Sequence, residues 1–132
     1  DLIMVIRKTM TNNEIYAHAT NLLEAFENIA ELKMPVKVHF YFQKNMDTIV
    51  TMAQDIEKSR NEVLQKYGTL DEETHNYKFA DEDMDKVNSD ITDLFSLEQE
   101  VAVNVIELDW FNEINMTPQQ VNAITFMIKD EE

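Results

Sequence analysis

The side chains with which this chain could do chemistry are histidines, carboxylates and hydroxyls, because it holds no cysteine. Its three histidines, His18, His39 and His75, share no ligand-like spacing, whereas zinc needs three or four convergent nitrogen or sulfur ligands. Asp81, Asp83 and Asp85 imitate the alternating start of a calcium loop. However, Lys86 stands where the tight-turn glycine belongs, and Thr92 where the bidentate glutamate belongs. Asp71, Glu73 and His75 fail in the same way, with Asn76 on the glycine position and only Glu82 fitting. A solvated helix start accounts better for both runs. Ser59, Ser89 and Ser96 fall inside expected helices, none at the strand-to-helix elbow of a nucleophile. With Gly68 as the sole glycine there is no phosphate-cradling loop, which needs several in close succession. Carboxylate pairs are inevitable among 26 acids, yet acid–base work also requires a pocket and shifted pKa values. These residues describe a non-enzyme with no catalytic group, and neither a metal nor a cofactor is expected.

Periodicity gives the elements that must position these groups. Residues 2–7 (LIMVIR) are apolar on both faces and predict a strand with neighbours on each side. Thr11, with Glu14 three residues on, forms a capping box for a helix whose stripe runs through Ile15, Ala19, Leu22, Leu23, Phe26 and Ile29 and ends near Ala30. Pro35 forces Met34 into an extended conformation. Residues 36–42 (VKVHFYF) follow as a second strand, with Val36, Val38, Phe40 and Phe42 on one face and Lys37, His39 and Tyr41 on the other. Met46, Ile49, Ala53, Ile56, Val63 and Tyr67 then recur at helical spacing, and Gly68 is placed for a left-handed cap.

Residues 69–80 are polar and acidic and read equally as a loop or a β-hairpin. Asp81 is an expected N-cap for a return helix through Met84, Val87, Ile91 and Leu94. Residues 101–108 (VAVNVIEL) form the next strand, expected to pair antiparallel with residues 36–42, since a helical hairpin returns the chain to where it left. Thr117, Pro118 and Gln120 open a last helix with Val121, Ile124 and Ile128 as its buried stripe, before a fraying tail over residues 129–132. The expected fold is thus α+β, a single domain over residues 1–132. It has a small, mainly antiparallel sheet, two flanking helices and a protruding antiparallel helical hairpin at about residues 44–98, inserted between strands 36–42 and 101–108.

Composition narrows the partners. The net charge is −15, from 26 acidic against 11 basic residues. Affinity for a phosphate backbone needs the opposite balance, so nucleic acid is not expected as a direct ligand. The apolar opening is too short to span a membrane and lacks a secretory pattern, so a soluble protein is expected. A protein partner remains. Trp110, Phe111 and Ile114 are its apolar interface candidates, lying between Asp109 and Glu113, although they also suit a corner that closes the core. Glu72, Glu73, Asp81 and Asp85 are the acidic-surface candidates. Most of the eight methionines, with Met46, Met52, Met84, Met116 and Met127 on or beside expected helices, fit core stripes better than a docking face.

Three stretches carry a resemblance: ELKMPVKVHFYFQKN at 31–45, IEKSRNEVLQKYG at 56–68 and MTPQQVNAITFMIKDEE at 116–132. Together with the acidic DEET turn, they resemble a family of small acidic proteins encoded by tailed phages and prophages of Gram-positive bacteria. The matching signature is Arg60, Leu64, Tyr67 and Gly68 at the end of a helix, with Asn76 standing where a glycine is usual in the central turn. The family is of unknown function and lies among late genes near the tail module. The resemblance implies a virion- or tail-associated component that docks on another phage protein or on a second copy of itself. The alternative is an acidic mimic of nucleic acid that inhibits a host defence protein of CRISPR or restriction type. It also implies the host cytoplasm during infection, and the virion for a structural component.

Overall fold

A computed structural model describes residues 3–27, 33–111 and 114–130. In chain order these form β1 (Val5–Thr11), α1 (Asn12–Ala25), α2 (Val36–Tyr67), β2 (Gly68–Asp71), β3 (Asn76–Phe79), α3 (Met84–Ser96), β4 (Glu98–Asn104) and α4 (Pro118–Ile124). Short 3-10 turns cover Asp81–Asp83, Leu108–Phe111 and Thr125–Met127. The fold is α+β, with two antiparallel two-stranded sheets, β1 with β4 and β2 with β3.

Residues 36–42 are the main departure from the sequence expectation: they are the first two turns of α2, not a strand. Their β-branched and aromatic residues favour a strand intrinsically, but that preference is about 1 kcal/mol at most and packing overrides it. The buried stripe Val38, Phe42, Asn45, Ile49, Ala53 and Ile56 advances by three or four residues without a break, so the helix must begin upstream of Val38 to bury it. Pro35 suits that start. It has φ −54° as the N-cap residue, and its carbonyl accepts the first helical bond from the His39 N–H at 3.0 Å. The result is a 32-residue helix, about 48 Å long at 1.5 Å per residue.

With 36–42 helical, β4 pairs instead with β1, in a register that sets Val5 opposite Asn104 and Thr11 opposite Glu98. The first strand also starts later than the sequence suggests and has one open face, since Val5 is 58% exposed while Met10 is buried. Beyond Asn104, the Val105 N–H donates to the Met4 carbonyl at 2.8 Å, and Ile106 bridges to Ile128 in parallel. Both capping boxes form as read. The Glu14 N–H donates to Thr11 Oγ1 at 3.1 Å, as does the Gln120 N–H to Thr117 Oγ1. Helix α1 ends at Ala25, while Ile29 and Ala30 lie outside the described residues.

Three local expectations are corrected. Gly68 has φ −107°, an extended conformation, so its role is not a left-handed cap. A Cβ there would stand 2.7 Å from Phe79 Cε1 and 2.8 Å from the Leu64 carbonyl oxygen, so glycine is needed for close approach. Asp81 makes no side-chain cap, because the chain enters α3 through a 3-10 turn. Val121 is 41% exposed, and the buried side of the last helical stretch is Ala123, Ile124, Phe126 and Met127.

Residues 69–80 resolve as the β2–β3 hairpin, whose turn holds His75 at φ 59°. The hairpin caps the far end of α2, and α3 then packs back along it, tied by Tyr67 Oη donating to Asp90 Oδ2 at 2.9 Å. Among the described residues, one cluster of buried side chains joins α1, α2, β4 and the C-terminal segment around Phe42, Leu22, Ile106 and Met127.

Candidate protein-interaction site

Helix geometry splits the apolar residues of α2's first two turns between two faces. Val38 and Phe42 face the core at 2% and 0% exposure, and Phe42 meets Phe26 edge-on at 4.9 Å. Val36 and Phe40, also one turn apart, point outward at 87% and 54% exposure. Phe40 packs edge-on against half-buried Tyr41 at 5.3 Å, and the Lys44 ammonium lies 5.5 Å from its ring centroid. Beside this face, the Lys37 ammonium sits 4.3 Å over the Trp110 ring, a cation–π contact that joins α2 to the 3-10 turn Leu108–Phe111.

The sequence candidates at this corner separate. Phe111 is in the core at 4% exposure, and half-buried Ile114 packs against the core, its N–H donating to the Phe111 carbonyl at 2.9 Å. Trp110 is half-buried under Lys37. Glu113, expected at the rim, lies outside the described residues. The corner thus closes the core, and the apolar side chains it leaves exposed are Leu108 in the turn itself and, on α2, Val36 and Phe40, which the strand reading had placed on a sheet face. The helical continuity of Val38, Phe42, Asn45 and Ile49 was the signal that could have found them.

Glu72, Glu73, Asp81 and Asp85 are all exposed and gather at the opposite end of α2, in the β2–β3 turn and the entry to α3. Asp71 organises that turn. Its carboxylate accepts the Glu73 N–H at 3.0 Å and pairs with Lys78 at 3.3 Å, and these contacts hold its pKa below the ordinary range, the Glu73 amide contributing most.

Between α1 and α2 lies an apolar cleft of about 200 Å³, lined by residues that include Leu23, Val50 and Ala53. At its polar edge Tyr16 Oη donates to Glu57 Oε2 at 2.9 Å, and that bond, followed by burial, raises the tyrosine pKa. The hydroxyl therefore stays protonated at neutral pH and serves as a cross-helix donor. His18 stacks on Phe126 at 4.3 Å, and burial lowers its pKa. His39 is half-buried on α2 and His75 exposed in the hairpin turn. Among the described residues no three His, Cys, Asp or Glu side chains converge as a metal set, and no helix is long and apolar enough to cross a membrane.

Sequence reasoning also missed Asn45, on the buried stripe of α2. Its Nδ2 donates to the Asn104 carbonyl at 2.8 Å, and its Oδ1 accepts the Asn104 N–H at 2.8 Å. One carboxamide thus stands in for a neighbouring strand at the edge of β4. Fold and surface together define the class: an acidic α+β domain with a long polar-ended helix and an apolar patch at its start. Compared with known proteins, the chain matches no family model, no curated protein and no solved structure.

Proposed function

We propose that the chain is a non-enzymatic, phage-encoded protein-binding module, a virion- or tail-associated assembly component that docks through the start of α2. The observation that carries this is the pair Val36 and Phe40, 87% and 54% exposed one turn apart and flanked by Lys37 and Lys44. Large apolar side chains with a charged rim are what protein interfaces use, and isolated surface helices have no internal need for them. The resemblance of residues 31–45, 56–68 and 116–132 to phage late-gene products supplies the setting.

Mass spectrometry of purified virions tests the reading, with the chain expected at stoichiometric level in wild type and lost with Phe40→Glu. Absence of the wild-type chain from virions overturns it. Phe40→Glu is a cleaner probe than Trp110→Ala, since Trp110 also packs on the core.

A second reading, the acidic mimic of nucleic acid, is favoured by the exposed group Glu72, Glu73, Asp81 and Asp85 at the other end of α2. Its mark is binding to a basic host protein that weakens steeply with salt and competes with DNA. That binding should be abolished by changing these four acids to amides, and untouched by Phe40→Glu.

A further inference from the structure

Strand β1 lies at an open edge of its two-stranded sheet. The Val105 N–H donates to the Met4 carbonyl and the Asn12 N–H to the Leu97 carbonyl, each at 2.8 Å, so in this register the even-numbered residues of β1 face β4. Antiparallel pairing alternates, which turns the N–H and carbonyl groups of Val5, Arg7 and Thr9 the other way. Among the described residues none of these groups meets a hydrogen-bond partner, and the strand has neither a bulge nor a proline to blunt its edge. Three donors and three acceptors, spaced about 7 Å apart, thus form a template that another strand completes. On the inward side of this edge is a cleft of about 510 Å³, walled by Met4, Ile6, Val105 and Ile128. Lys129 at the cleft pairs with Glu107 at 3.6 Å, but half-buried Lys8 has no such partner. Its ammonium donates to the Phe126 carbonyl at 2.7 Å, and among the described residues no carboxylate forms an ion pair with it, although Asp130 lines the same cleft.

We propose that β1 receives an extended segment of a partner protein as an added strand, with an apolar side chain opposite Ile6 and a carboxylate opposite Lys8. The pleat puts those two side chains on the cleft side, two residues apart. Backbone bonds supply affinity, and the cleft with its lysine supplies specificity. A second copy does not meet these terms. Its β1 offers Arg7 and Lys8 and no acid, the buried inward residues of its β4 are Val101 and Val103, and the far edge of β4 is closed at Asn104 by Asn45. Neither strand brings a carboxylate to Lys8. The site uses no residue at the start of α2 and does not depend on the assembly reading above.

Amide hydrogen exchange followed by nuclear magnetic resonance tests it, with a capped seven-residue peptide in which threonines alternate with valine, glutamate and valine, so that it reads the same in either direction. In the free protein the amides of Val5, Arg7 and Thr9 should exchange fast between slow neighbours at Ile6 and Lys8. Peptide at about 1 mM, tenfold above a Kd of about 0.1 mM, should slow those three by about tenfold. Replacing the glutamate by glutamine should weaken binding about fivefold, the upper end for an opposite-charge cross-strand pair, and Lys8→Met should erase that difference. Thr9→Pro removes an outward donor while leaving the ladder to β4 complete, and it should abolish binding with unchanged circular dichroism. Unprotected amides in the presence of peptide, equal binding of the glutamate and glutamine peptides, or full protection in a folded Thr9→Pro overturns the proposal, and the first two readouts need no variant. Protection of these amides that rises with protein concentration alone overturns it in favour of a second copy.

Discussion

Replacing Asn45 by leucine should be among the most damaging near-isosteric changes in the protein. Asn45 is 1% exposed, and its carboxamide exchanges two 2.8 Å bonds with the backbone of Asn104 while Oδ1 also accepts Asn104 Nδ2 at 3.2 Å. Leucine keeps the branched shape and the number of heavy atoms but strands a buried N–H, a carbonyl and an amide, each worth about 1–3 kcal/mol when left unpaired. The apolar gain of a buried leucine returns about 2 kcal/mol. The net loss should be about 3 kcal/mol, a midpoint shift of about 1.5 M in urea for a slope near 2 kcal/mol/M. Urea titration followed by helix circular dichroism and by the single tryptophan, Trp110, reads it directly. Asn45→Asp sharpens the test. Aspartate must donate to the Asn104 carbonyl to replace Nδ2, so its folded-state pKa is raised, and its stability deficit should be smaller at pH 4 than at pH 7. A leucine variant within 1 kcal/mol of wild type, with unchanged slope, refutes the paired amide.

Gly68→Ala should destabilise by about 1–3 kcal/mol, because the new methyl meets Phe79, Tyr77 at 3.1 Å and the backbone of α2; an unchanged melting temperature would show that the hairpin does not press on the helix end. His75→Gly should raise the melting temperature by about 3 °C, roughly 0.5–1 kcal/mol, by relieving φ 59°. A decrease would contradict the turn geometry. His18 makes stability pH-dependent. Folding lowers its pKa from 6.5, so the unfolded chain binds the proton more tightly, and stability present above pH 6.5 is lost as pH falls from there through the folded-state value. Chemical denaturation of wild type and His18→Gln between pH 5 and 8 should show a weaker slope in the variant, and equal slopes would remove the buried-histidine account.

What could be read from the sequence was what is satisfied within a few residues. Thr11 with Glu14, and Thr117 with Gln120, close their bonds locally, so type and spacing suffice. The acidic candidates were legible as surface for the same reason, being turn and helix-entry residues. Strand pairing was not, because it depends on which element lies beside β4. Once residues 36–42 are misread as a strand they claim that place, and β1 is left without its partner. Asn45 escaped notice because a polar residue on an apolar stripe shows its purpose only when the Asn104 backbone is brought to it. Trp110 and Phe111 were correctly seen as an aromatic corner, but which ring is buried is a tertiary matter. Phe111 fills the core and Trp110 takes Lys37.

The misreading of residues 36–42 leads to a decisive contrast. In a strand, alternate residues share a face, so Phe40 and Phe42 would be buried together. In a helix each residue turns about 100°, so Val36 and Phe40 lie within about 40° of each other, as do Val38 and Phe42, with the pairs about 200° apart. The same four apolar residues therefore make two surfaces, one spent on the core at 2% and 0% exposure and one left outside at 87% and 54%. Phe42→Glu should lose about 3–5 kcal/mol from the aromatic ring alone and more from an unpaired buried charge, enough to unfold a domain of this size. Phe40→Glu should leave the melting temperature within a few degrees of wild type, because its ring is already 54% exposed. Thermal unfolding of the two variants side by side separates the geometries: equal and severe losses would restore the strand, whereas a folded Phe40→Glu beside an unfolded Phe42→Glu requires the helix.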